Sequence, residues 1–176
     1  MIGIFPPQEI LQGMLAIRDA NDILLTDYFV VANIGAAMFN SAIITLLNMW
    51  LLKRLDLRPN GIIVSALFLI SGFAFMGKNI FNIWPYYLGG YIYCKYHKIS
   101  YKNVVVINML TTALSPLTST LVDSITGNVL VGMILVTLIS AFIGFIMPPI
   151  SSHMLTTHSG YSIYNMGFAG GLVGIE

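Results

Sequence analysis

The chain has 176 residues, 57% of them hydrophobic and 9% charged, with a mean hydropathy of +0.83 and a formal net charge of +1. A soluble domain carries roughly 25% charged residues, so this composition excludes an ordinary soluble fold and points to an all-α, multi-pass protein of the cell membrane. The near-zero charge leaves no electrostatic footprint for nucleic acid, and the lone Cys94 excludes an internal disulfide and a Cys-based zinc site.

Residues 1–27 read as an amphipathic N-terminal segment. Met1–Pro7 has no basic region, and no apolar core follows before Asp19, so the start lacks the pattern of a signal peptide. Ile10, Leu11, Met14, Leu15 and Ile17 recur at helical spacing between Gln8, Glu9, Gln12, Arg18 and Asp19. This predicts a helix within Gln8–Asp27, lying on the membrane surface or packed on the protein's own body. Residues 28–52 follow without a charge and exceed the roughly 20 residues that a membrane span needs. Asn33, Asn40, Ser41, Thr45 and Asn48 lie within that run, so one side is expected to face protein rather than lipid. Lys53, Arg54 and Arg58 come next and mark this end as cytoplasmic. Pro59-Asn60-Gly61 is a turn.

Residues 62–94 are apolar but interrupted at Gly77-Lys78-Asn79, and Lys95, His97, Lys98 and Lys102 close them. Positive charge on both flanks puts both ends in the cytoplasm. The stretch is short for two complete helices and a turn, so it reads as a broken or re-entrant hairpin with its tip near Gly77–Asn79. Backbone of that kind is tolerated at depth only against protein or a wet cavity. Residues 103–122 form the next span. Ser115-Pro116 is expected to break it, and Thr111, Thr112, Ser115, Thr118, Ser119 and Thr120 supply hydroxyls to re-satisfy the freed backbone. Asp123–Asn128 reads as a short outer loop. Residues 128–147 return inward, and Pro148-Pro149 is expected to end that helix.

Residues 158–176 read as the start of a second unit. Setting Asn33 on Asn165 brings Gly35, Ala37 and Ile43 onto Gly167, Ala169 and Ile175. By charge bias the two copies enter the membrane from opposite sides, which is the plan of an inverted repeat. Residues 28–157 would then be the first unit. Glu176 falls inside an apolar segment, and the chain is expected to be a truncated form of a longer protein.

Lys78 is the only charged residue within 62–94. A charge at that depth marks a substrate or ion contact at a broken helix, or else a hairpin tip that reaches water at the far interface. Asn79 and Asn82 share the same break, and Asn33, Ser115, Thr118 and Asn165 complete the candidate pathway. His153 and His158 are candidates for gating or proton-linked roles, or simply polar residues of an interfacial loop. No HExxH is present and no carboxylate lies close to the histidines, so neither a metal site nor a cofactor is expected. Gly167, Gly170, Gly171 and Gly174 suit close packing better than a phosphate loop, because GFAGGLVG lacks the GK[ST] ending.

The run PPISSHMLTTHSGYSIYNMGFAGGLVG, Pro148 to Gly174, resembles an uncharacterised bacterial multi-spanning membrane family catalogued as domain of unknown function 1576. GKNIFNIWPYYLGGYIY, Gly77 to Tyr93, resembles it as well. The resemblance implies a longer parent protein and brings no activity. Three functions remain open. A transporter or channel for a small polar solute or ion leads, on the broken segments, the hydroxyl-rich span and the inverted plan. A structural or sensory membrane protein is the alternative, and an intramembrane enzyme the third. No paired carboxylates and no Ser/His set lie in a span, so no catalytic residue is expected. The partners expected are the lipid bilayer, a small polar solute or ion, and a second copy of the chain in a homo-oligomer.

Overall fold

Asparagines set where four of the eight α-helices among the described residues begin. In the computed structural model, which describes residues 5–20, 26–125 and 127–157, the described residues are all-α with no strand. Helix α1 runs Pro7–Asp19, α2 Tyr28–Val31, α3 Ile34–Arg54, α4 Gly61–Phe73 and α5 Ile80–His97. Then come α6 Val105–Thr111, a 3-10 turn Thr112–Leu114, α7 Ser115–Ile125 and α8 Val129–Thr157. The Asn33 side chain accepts from Ala36 N at 2.8 Å, Asn60 from Ile63 N at 2.9 Å and Asn79 from Phe81 N at 2.9 Å. Asn128 accepts from Leu130 N at 3.1 Å. An N-cap oxygen satisfies amide groups that the first helical turn leaves without a carbonyl.

The expected N-terminal helix is present as α1, and it packs on the protein. Gly13 and Ile17 are buried against Tyr28, Ala36 and Ala37, while Leu11 and Leu15 stay exposed on the other face. A Cβ on Gly13 would collide with Ala36 and Asn33. The apolar run 28–52 is not one helix. It divides at Ala32–Asn33 into α2 and α3, because Asn33 turns its side chain to the start of α3 and donates from Nδ2 to Glu9 O at 3.0 Å. Along α3 the buried face is Ala36, Ala37, Asn40, Ser41, Ile44 and Asn48. The opposite face exposes Met38, Phe39, Leu46, Leu47, Met49 and Trp50, so the polar residues do lie on the side that meets protein.

Helices α3, α4 and α5 form one layered unit. Asn40 reaches Ala74 and Ser41 reaches Ser71, so α4 runs antiparallel to α3. Asn40 meets Lys78 and Asn48 meets Tyr87, so α5 runs parallel to α3. Between them lies a core of Ile44, Leu52, Ile63, Ile70, Ile83, Val105 and Met109. The helix breaks expected at Gly77–Asn79 and before Pro116 are both present, the first over residues 74–79 and the second as the 3-10 turn that ends where α7 starts at Ser115.

Two boundaries differ from expectation. Helix α7 continues to Ile125, so Asp123 lies on a helix and not in a loop. Helix α8 passes through Pro148-Pro149 to Thr157. Proline's own φ is helical. Ile143 and Met147 before the pair and Ile150 after it pack in the same cluster with Tyr86, so tertiary contacts hold the helix across the lost amide donors. Helices α5 and α8 meet at glycines. A Cβ on Gly89 would strike the Ala141 carbonyl, and one on Gly144 would strike the backbone of Tyr86.

Candidate functional site

The break between α4 and α5 is where buried polar groups converge. Helix α4 ends at Phe73, Gly77 takes a left-handed φ of 75°, and α5 restarts at Ile80. Asn79 caps α5, and the cap is reciprocal: Asn79 Oδ1 accepts from Asn82 N and Asn82 Oδ1 accepts from Asn79 N, both at 3.0 Å. Asn82 Nδ2 also donates to Gly77 O at 3.0 Å, which pins the turn to the first turn of α5.

Four long-range hydrogen bonds hold this loop in place. Asn40 Nδ2, from α3, donates to Ala74 O at 2.8 Å and to Lys78 O at 2.9 Å. Asn79 Nδ2 donates to the Tyr28 hydroxyl at 3.1 Å. Tyr28 N donates to Phe75 O at 3.1 Å, beside an antiparallel bridge between Asp27 and Met76. Asn40 of α3 therefore supports the break, while Ser41 ties α3 to Ser71 of α4 and Asn48 ties it to Tyr87 of α5.

Lys78 sits in the middle of this arrangement, fully buried at 0% exposure. Its Nζ has no hydrogen-bond partner among the described residues, and the same holds for Asn40 Oδ1. The reading of Lys78 as a tip residue in water does not stand, since the side chain is covered on all sides. Asn79 and Asn82 are buried beside it, at 2% and 9% exposure. Asn40 and Tyr28 belong to the same site and were not among the sequence candidates. Their only sequence signal is a polar atom in an apolar helix.

Ser115 and Thr118 form a second cluster. The Tyr86 hydroxyl and Thr118 Oγ1 share a hydrogen bond at 2.7 Å, and Ser140 Oγ donates to Thr118 Oγ1 at 3.3 Å. Thr118 also donates to Ser115 O at 3.0 Å, while Ser115 Oγ is buried without a partner among the described residues. Tyr86 follows Asn82 by one turn of α5, so one helix serves both clusters. Asn33 lies with α1, as the cap of α3. His153 lies on α8 and is exposed, on a helix and not in a loop. His158 and Asn165, with the whole expected second unit, fall outside the described residues. No three His, Cys, Asp or Glu side chains among the described residues come together to hold a metal ion.

Ile34–Arg54 and Leu130–His153 are long and apolar enough to cross a membrane, and Gly61–Phe73 and Val105–Leu121 are shorter apolar helices. The class is thus an all-helical chain with membrane-length helices and buried polar breaks. The profile of a family described as "Protein of unknown function (DUF1576)" matches residues 6–176, and the chain belongs to that family. No curated protein and no solved structure matches it.

Proposed function

We propose that the chain is part of a multi-pass membrane protein that passes a small polar solute or ion through the α4–α5 break. The observation that carries this reading is the buried Lys78, whose Nζ finds no partner among the described residues. Insertion of a lysine at mid-membrane costs on the order of 2.5–3.5 kcal/mol, so such residues face a protein interior or a water-filled path. A purely structural role would give the amine a carboxylate or free carbonyls. The surrounding asparagines bind backbone instead, fixing an irregular segment at depth, as substrate sites at discontinuous helices require. The exposed apolar faces of α3 and α8 would contact lipid.

The test is solute flux in liposomes containing the full-length protein, with Lys78→Met as the comparison. Flux of at least one solute class that the substitution abolishes supports the proposal. Absence of flux across cations, anions and neutral polyols would leave a structural or sensory role as the better reading.

A further inference from the structure

Most backbone acceptors around Lys78 are already occupied, while Asn40 Oδ1 has no partner among the described residues. The carbonyl oxygens of residues 70–75, 77 and 78 each accept a hydrogen bond, some from backbone amides and the others from Asn40, Ser41 and Asn82 side chains. These carbonyls end α4 and would be the natural partners of an ammonium group placed there. None of the buried polar or charged residues is an Asp or Glu among those described. What the site leaves over is one donor bearing positive charge, Lys78 Nζ, and a single neutral acceptor, Asn40 Oδ1. Lys78 also immediately precedes the N-cap of α5, an 18-residue helix whose positive end adds to the field.

We propose that the α4–α5 break is an anion site, in which the Lys78 ammonium, lying in the positive field at the start of α5, binds a small anion such as chloride, phosphate or a carboxylate. A cation site would need the reverse arrangement, with free oxygens and no fixed positive charge. The inference rests on the transport reading for the anion's role as cargo, but the binding itself does not depend on it. Lys78 is fully covered in this conformation. Entry therefore requires the side chains that cover Lys78 to shift.

The experiment uses the full chain in nanodiscs of neutral phosphatidylcholine. Thermal unfolding is followed while sodium chloride, sodium phosphate or sodium acetate is titrated at constant ionic strength. At least one anion should raise Tm by roughly 5–10 °C at about a hundredfold over its Kd. Lys78→Met should remove that rise, Lys78→Gln should do the same if the methionine variant fails to fold, and Lys78→Arg should retain part of it. Equal shifts in wild type and the neutral variants, or no shift with any of the three anions, would overturn the anion site. Phosphatidylglycerol nanodiscs separate the sources: if a lipid phosphate fills the site, the Lys78-dependent shift appears without added salt. Anion binding without anion flux would sink the transport reading and leave the site. Flux of neutral solutes with no anion binding would do the opposite.

Discussion

A lysine with no partner is a stability cost kept in place by the residues around it. Replacing a buried charge by an apolar side chain of similar volume is often stabilising, whereas retaining the charge unpaired costs several kcal/mol. Lys78→Met should therefore raise the unfolding free energy of the unliganded protein by about 1–3 kcal/mol, read as a higher Tm in low salt. A lower Tm would mean that Lys78 is held by interactions that stabilise it, and that its burial is structural. Asn79 makes the opposite contribution. Its carbonyl oxygen caps α5 and its amide reaches the Tyr28 hydroxyl. Asn79→Ala should cost about 1–2 kcal/mol, while Asn79→Asp should preserve the cap oxygen, remove the amide donor to Tyr28 and bury a carboxylate beside Lys78. An alanine variant as stable as wild type in a thermal melt would show that the reciprocal cap does not hold the break.

At the level of the helices, glycine position decides whether substitution hurts. A Cβ on Gly144 would press into the backbone of Tyr86, which cannot rotate away, but one on Gly72 meets nothing within 4 Å. Gly144→Ala should separate α8 from α5 and destabilise by about 1–3 kcal/mol. Gly72→Ala should be neutral or stabilise α4 by roughly 0.5–1 kcal/mol. Similar melting temperatures for the two variants would refute close glycine packing of α5 on α8. The breaks that position these helices are legible in the sequence, since Gly77-Lys78-Asn79 and Ser115-Pro116 carry their own local chemistry. The division at Ala32–Asn33 is less so: an asparagine in an apolar run reads equally as a residue facing protein and as a cap. Pro148-Pro149 misleads because a proline rule knows nothing of Met147 and Ile150 packing on either side. The lone charge marks Lys78 from sequence alone. Its neighbours Asn40 and Tyr28 do not stand out, because they join the break across 38 and 51 residues, a separation that only the folded chain closes.

Across the whole molecule, helix directions and charge give one arrangement. Helices α3 and α5 run parallel with α4 antiparallel to both, so the turns at 55–60 and 98–104 lie at the same end. Six of the eight Lys and Arg residues, namely Lys53, Arg54, Arg58, Lys95, Lys98 and Lys102, gather at that end. In the proposed membrane-spanning arrangement, the positive-inside rule would put that end in the cytoplasm. Helix α4, with 13 residues, is about 20 Å long, short of a hydrocarbon core of about 30 Å. The α4–α5 break therefore sits below the opposite surface, near the level of Asn40 on α3. In that arrangement α6 and α7 together would lead outward, and α8, about 44 Å long at 29 residues, would return and extend past the hydrocarbon core. The expected topology has position 56 and position 125 on opposite sides. Single cysteines, Asp56→Cys and Ile125→Cys in a Cys94→Ser background, should react with a membrane-impermeant maleimide from opposite faces of sealed vesicles. Labelling of both from one face would mean that α6 and α7 do not cross. The α4–α5 break would keep its place at the end of the helices away from the basic turns, because α4 and α5 run out and back on their own, but the outward crossing would be lost from the topology.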